Sequence, residues 1–153
     1  RLQAMLRDIG AGWAADDAYR EGLHTVLVIL PAREQHTLGA MVMSGWLRRR
    51  GISVCLRIAP TEQELADLLA VRRFDGVMIS VAGPERLEIC AALISTIRHH
   101  ASQGLRIALG GAIVDLTDDL RKATGADIVT NDLSKALDGL GVTLERRLKT
   151  SIT

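Results

Sequence analysis

Thr25-Val26-Leu27-Val28-Ile29-Leu30 is a nearly continuous apolar run, and Glu34-Gln35-His36-Thr37-Leu38-Gly39 follows it after three residues. Such a run is typical of a parallel strand that is covered on both faces. The second stretch places a histidine in the loop between that strand and a helix. In an open α/β sheet this loop lies at the carboxyl ends of the strands, where ligands bind. His36 is therefore a candidate axial ligand for a metal, and Glu34 a candidate to orient its ring.

Apolar runs and helical patterns continue to alternate along the chain. Strands are predicted over residues 25–30, 53–58, 75–80, 105–109 and 126–130. Helices are predicted over residues 37–50, 61–72, 84–101, 113–123 and 132–140. Five β-α units predict an α/β fold: an open, parallel, five-stranded sheet of flavodoxin-like (Rossmann-like) order 2-1-3-4-5, with helices on both faces.

Local signals mark where several helices begin. Thr61 followed by Glu64 predicts a capping box at the second helix. Pro84 is expected in the first turn of the third helix, since proline fits that position. Asp115 or Thr117 is expected to cap the fourth helix.

The bulk composition indicates one globular domain with no dominant charge. The 153 residues carry 19 basic and 18 acidic side chains, which argues against a surface devoted to nucleic acid. Cys55 and Cys90 form neither a zinc pattern nor a disulfide framework, and no apolar run approaches the length of a membrane span. A cytoplasmic protein is therefore expected.

The chain divides into three expected parts. Residues 1–22 are interpreted as a helix and linker, residues 23–141 as the main domain and residues 142–153 as a tail. Because the sequence begins at Arg1 rather than at methionine, we expect it to be a piece of a longer protein.

Small or polar residues follow three further strands. The third strand ends in Ser80-Val81-Ala82-Gly83, the fourth in Gly110-Gly111 and the fifth in Thr130-Asn131. Glycine lets a ligand approach the backbone closely, so these exits leave room for a bulky, flat molecule at the sheet edge. We expect the glycine pair to serve ligand binding more than folding.

Three spaced motifs resemble the cobalamin-binding fold. They are His36-x-x-Gly39, Ser80-x-Ala82 and Gly110-Gly111, and the resemblance spans roughly residues 23–141. It implies that His36 ligates the metal in place of the nucleotide base, that Ser80 contacts the displaced base, and that the glycines let its tail pass. The family has aspartate where this chain has Glu34, and leucine where it has Ala82.

With Trp46 on the first helix, the flanking sequence is similar to the heme-sensing (SCHIC) subset of that fold, found in antirepressors of photosynthesis genes in purple bacteria. This implies a heme held by His36, with cobalamin as the alternative cofactor. It also implies a transcriptional repressor of the PpsR type as partner, and a flavin only in another domain of the full-length protein. Direct contact with nucleic acid or membrane is not implied. The implied cofactor site consists of Glu34, His36, Gly39, Ser80, Ala82, Gly110, Gly111 and Thr130.

Three functions remain open at this point. The first is a non-catalytic sensor domain in redox or light control of photosynthesis genes, and we expect this one because no general base or nucleophile accompanies the site. The second is the cobalamin-binding domain of a corrinoid-dependent enzyme or a photoreceptor. The third is an interaction module without a ligand. A phosphorylated receiver domain is disfavoured, because Ser80 and Asn131 stand where it needs an acidic residue and a lysine.

Overall fold

The computed structural model describes residues 24–31 and 37–142, which contain one parallel sheet of five strands in the order β2-β1-β3-β4-β5. The strands are β1 (Thr25–Leu30), β2 (Ser53–Ile58), β3 (Gly76–Ser80), β4 (Ile107–Gly110) and β5 (Ile128–Val129). The predicted fold class and strand order are confirmed. The last three strands are shorter than predicted, and β5 has only two residues.

Helices cover both faces of this sheet. They are α1 (Thr37–Arg49), α2 (Glu62–Val71), α3 (Leu87–His100), α4 (Ile113–Leu116), α5 (Leu120–Thr124) and α6 (Leu133–Leu140), with a short 3₁₀ helix at Pro84–Arg86 before α3. Within residues 37–142, no helix has the length and apolar character needed to cross a lipid bilayer.

The core consists of two apolar clusters, one on each side of the sheet. Because side chains alternate along a strand, neighbouring residues of β1 such as Val28 and Ile29 enter different clusters. One cluster joins the sheet to α2, α3, α4 and α5, and the other joins it to α1 and α6. The second cluster is the one that extends to the candidate site.

The prediction of one helix over residues 113–123 is wrong, because two short helices occupy this range. Thr117 is extended and ends α4, and Asp119 has a left-handed backbone (φ 56°) before α5. Neither predicted cap is correct, since Asp115 lies inside α4. Short polar side chains disfavour helix interiors, which explains a break at the run Thr117-Asp118-Asp119.

The capping box predicted at the second helix is confirmed. The Thr61 hydroxyl accepts a hydrogen bond from the Glu64 N–H (3.1 Å), and the Glu64 carboxylate accepts one from the Thr61 N–H (3.3 Å). These reciprocal bonds form the capping box at the start of α2. Pro84 begins the 3₁₀ helix that leads into α3.

Candidate functional site

A groove of about 100 Å³ lies between the sheet and helix α6, and it opens at the carboxyl ends of the strands. Its walls come from β3, β4, the loop after β5, α1 and α6. The lining residues are Met43, Met78, Ile79, Ser80, Ala108, Leu109, Gly110, Gly111, Thr130, Asn131, Asp132, Leu133 and Ala136.

Strand geometry explains why there is space on this face of the sheet. Met78 and Ser80 lie on the same side of β3, because side chains two residues apart share a face. The register pairs them with Ala108 and Gly110 of β4. Three of these four residues have small side chains or none, so this part of the sheet face leaves space beneath the helices that cover it.

Helix α6 is held close to the sheet at the end remote from the groove. A Cβ on Gly139 would come within 2.6 Å of the Ile128 side chain, and one on Gly76 within 3.0 Å of Leu140. The second half of α6 therefore contacts the sheet closely, and the groove lies beneath the first half of the helix. Ala136 faces the groove from α6 and adds little bulk.

Hydrogen bonds fix the rim of the groove. The Asn131 side-chain oxygen accepts from the Gly111 N–H (2.8 Å), and the Thr130 hydroxyl oxygen accepts from the Asp132 N–H (3.0 Å). Asp132 in turn accepts from the Lys135 N–H (3.2 Å), which caps α6. These contacts join β4, the loop after β5 and α6 into one framework.

The two adjacent glycines have different roles. Gly110 faces the rim, where an added Cβ would lie 3.0 Å from the Thr130 carbonyl oxygen. Gly111 has a left-handed backbone (φ 101°), and its Cβ would collide with the backbone of Val81. The expectation that this pair serves binding more than folding is therefore wrong for Gly111, which is needed for close packing.

The structure brings together only part of the predicted cofactor site. Ser80, Gly110, Gly111 and Thr130 line the groove. Gly39 lies exposed on the first turn of α1, and Ala82, half-buried beyond β3, is not part of the lining. Neither residue lines this groove, and a role for either in ligand binding stays a prediction. His36 and Glu34 lie outside the described residues.

Sequence reasoning missed the deeper walls of the groove. Met78 and Ala108 precede the predicted residues Ser80 and Gly110 by two positions, so the strand period was a usable signal for them. Met43 and Ala136 lie on helices, and no pattern in the sequence indicates that these helices meet over this part of the sheet.

The groups with altered pKa values belong to the other side of the molecule. Burial raises the pKa of the Cys90 thiol to about 11. Burial would also raise the pKa of Asp127, but hydrogen bonds from Arg98 and the Ile107 N–H, with the charges of Arg98 and Arg106, outweigh it and hold that pKa below its usual range. Neither of these two groups lines the groove.

The residues present fit the edge of a flat, largely apolar ligand that carries polar substituents. Methionine and alanine side chains provide apolar walls, and the Ser80 and Thr130 hydroxyls stand at the mouth. Within residues 24–31 and 37–142, no three His, Cys, Asp or Glu side chains come together as a metal site.

Comparisons with known proteins show the family of this chain. The B12 binding domain family model matches residues 24–140. A Rhodobacter capsulatus protein, named an uncharacterized 20.5 kDa protein in the bchF-crtJ intergenic region, is 44% identical over 134 residues, which are 88% of this chain and 70% of that protein.

A solved structure shares the fold. It is a novel cobalamin-binding protein from Desulfitobacterium hafniense, with a TM-score of 0.63 and 15% sequence identity. The match covers 89% of this chain and 68% of that one.

Proposed function

Because this chain belongs to the B12-binding domain family, we propose that it is a regulatory domain that binds a cobalamin-type tetrapyrrole at the carboxyl edge of its sheet. The observation that carries this proposal is the groove between the sheet and α6. It lies where ligands bind in open α/β folds, and its walls are apolar with hydroxyls at the mouth.

Each residue has a defined part in the proposal. His36 would hold the metal of the ligand, since it comes between β1 and α1 in the sequence and a neutral imidazole is a good metal donor. The hydroxyls of Ser80 and Thr130 are positioned to hydrogen-bond polar substituents of the ligand. When bound, such a ligand supplies a metal centre whose axial ligation and oxidation state can change.

Cobalamin, which the sequence analysis held as the alternative cofactor, is preferred here over heme. The family match supports a corrinoid, whereas heme rests on the SCHIC resemblance alone, as in the antirepressor AppA. The groove also suits a ligand with a substituent below its ring, which heme lacks.

A regulatory role without turnover agrees with the chemistry of the groove. Among the residues that the structure describes, the side chains that line the groove include no histidine, cysteine, lysine or arginine, and Asp132 uses its carboxylate to cap α6. The name of the Rhodobacter capsulatus relative places it in the bchF-crtJ intergenic region, and we infer for this chain a role in the control of photosynthesis genes. We infer a transcriptional repressor of the PpsR type as the partner.

Absorption spectra test the ligand. The purified chain is incubated with hydroxocobalamin and, separately, with hemin, and free ligand is removed by gel filtration. We expect a retained corrinoid with a shifted spectrum, and loss of retention in His36→Ala. His99→Ala is the matched control, because His99 is exposed at the end of α3. Retention of hemin alone would favour the heme sensor, and unchanged cobalamin binding by His36→Ala would exclude His36 as the ligand.

Binding to a repressor tests the regulatory role. The His36 loop leads directly into α1, so a change at the metal is expected to move that helix and alter affinity for the partner. Titration against a PpsR-type repressor, with and without hydroxocobalamin, should give different dissociation constants. Equal constants, in the wild type and in His36→Ala, would support an interaction module that senses no ligand.

A further inference from the structure

Helix α1 has no charged residue from Thr37 to Leu47, over most of its length. A helix at the surface of a soluble protein normally turns an apolar stripe toward the core and charged or polar side chains toward water. Helix α2 follows this rule, since its Glu62, Glu64 and Asp67 side chains are exposed. Helix α1 departs from the rule on the face that points away from the sheet.

The outward face of α1 leaves large apolar side chains accessible. Residues three or four apart lie on the same side of a helix. On the inward side, Ala40, Ser44 and Leu47 are buried. On the outward side, Val42 is 63% exposed, and Trp46, one turn further along, is half-buried. Single exposed apolar residues are common on protein surfaces, but here two of them share a face that has no charged residue around them.

The carboxyl end of the same face is cationic. The Arg50 guanidinium lies over the Trp46 ring, 3.5 Å from its centroid, and donates a hydrogen bond to the Trp46 carbonyl oxygen (3.3 Å). Arg49 is exposed and makes no hydrogen bond or ion pair through its side chain with the other residues that the structure describes. A cation at this end of a helix is favourable by itself. Arg49 also follows Trp46 by three positions, so it extends the apolar stripe.

The chemistry of this face indicates the kind of molecule that fits it. Tryptophan and arginine are enriched among the residues that carry most of the binding energy of protein interfaces. Apolar side chains next to a cation are complementary to a protein segment that carries apolar side chains next to aspartate or glutamate. A second copy of this chain that used the same face would supply no carboxylate, because α1 contains no acidic residue. A nucleic acid backbone would match the arginines but not Val42.

We propose that the outward face of α1, formed by Val42, Trp46, Arg49 and Arg50, is the docking surface for an acidic, amphipathic segment of the repressor partner. This inference rests on the proposed function, because it names the surface through which that regulation acts. The same helix lines the ligand groove through Met43. One helix thereby connects the groove with the partner.

The experiment measures the dissociation constant of a PpsR-type repressor for the wild type and for two variants of this face. It uses the ligand state, with or without hydroxocobalamin, in which the wild type binds the repressor more tightly. Val42→Gln removes the apolar contact and keeps a good helix former, and Arg49→Glu reverses the charge. We expect each variant to bind the repressor roughly tenfold more weakly, as substitutions at important interface residues do. The loss in Arg49→Glu should shrink in high salt, which screens charge pairs at a surface.

Val71→Gln and Arg73→Glu are the matched controls. Val71 is 80% exposed at the end of α2, and Arg73 is exposed two residues later. Helix α2 packs on the opposite face of the sheet from α1. Both control variants should bind the repressor as the wild type does. All four variants should keep the wild-type retention of hydroxocobalamin and the wild-type thermal unfolding, because none of these side chains lines the groove or is buried.

The outcomes separate the docking surface from the function on which it rests. If the wild type and both α1 variants bind the repressor equally, the docking surface is wrong and the regulatory function stands. Equal losses in the α1 and α2 variants would also overturn the docking surface. Self-association of the wild type that is lost in Val42→Gln, measured by sedimentation velocity, would assign this face to a second copy instead. If the wild type binds no repressor, the proposed partner fails and the docking surface falls with it.

Discussion

Asp75 and Asp127 occupy equivalent places at the amino edge of the sheet. Asp75 precedes β3 and accepts a hydrogen bond from the Thr25 N–H at the start of β1 (2.7 Å). Asp127 precedes β5 and accepts one from the Ile107 N–H at the start of β4 (2.8 Å). In both cases the aspartate N–H donates back to the carbonyl of the residue that it caps. Each carboxylate therefore fixes the start of one strand relative to the next.

Asp127 should make stability depend on pH in the acid range. Its pKa is lowered in the folded protein, so its contribution is present above the unfolded pKa of about 3.9 and is lost as pH falls through the folded value. Asp127→Asn should lower the free energy of unfolding at pH 7 by about 1–2 kcal/mol. In urea unfolding, the difference in the free energy of unfolding between Asp127→Asn and the wild type should shrink as the pH falls from 5 to 2. A constant difference across that range would contradict the proposed role of Asp127. The control is Asp138→Asn, since Asp138 is exposed on α6.

Gly111→Ala should damage folding rather than ligand binding alone. The left-handed backbone and the collision with Val81 predict a loss of more than about 2 kcal/mol in the free energy of unfolding. Gly39→Ala is the matched control, since nothing lies within 4 Å of its Cβ position. That substitution is expected to stabilise α1 by about 0.5–1 kcal/mol. Chemical denaturation measures both, and similar stabilities for the two variants would refute the packing role of Gly111.

The capping box at α2 gives a third prediction. Thr61→Ala removes the hydroxyl that accepts from the Glu64 N–H, and it should cost about 1 kcal/mol in the free energy of unfolding. Thr96→Ala is a suitable comparison, because the Thr96 hydroxyl bonds to the Ala92 carbonyl within α3 and alanine is a better helix former. It should be neutral or stabilising. Equal losses for the two would contradict a special role for the cap.

The two cysteines should resist thiol reagents in the native state. Both are buried, and the Cys90 pKa of about 11 keeps that thiol protonated at pH 8. Because the thiolate is the reacting species, labelling with a disulfide reagent should be slow in buffer and rapid in denaturant. Rapid labelling of one cysteine without denaturant would place it at an exposed position, and Cys90→Ala identifies which residue reacts.

The sheet could be predicted from the sequence because its strands are buried on both faces. Continuous apolar runs such as Thr25–Leu30 and Ser53–Ile58 match the observed strands residue for residue. The break between α4 and α5 was missed, since residues Ile113 and Leu120 keep helical spacing across it and both are buried. The prediction followed the helical spacing of these apolar residues and did not take the polar residues between them as a break.

The mouth of the groove could be predicted and its depth could not. Ser80, Gly110 and Thr130 follow strands, and parallel topology alone brings such residues to one edge. The contribution of Met43 and Ala136 depends on how α1 and α6 pack over the sheet. That packing is set at the far end of α6, where Gly139 and Gly76 admit close approach. Long-range packing of this kind leaves no local sequence pattern.

The two-residue length of β5 has a consequence for how copies of this protein can associate. A sheet edge becomes a template for aggregation when it presents a long row of unpaired N–H and carbonyl groups. At the β5 edge such a row is only two residues long. This edge therefore offers a second chain little backbone to pair with, which disfavours growth of the sheet on that side.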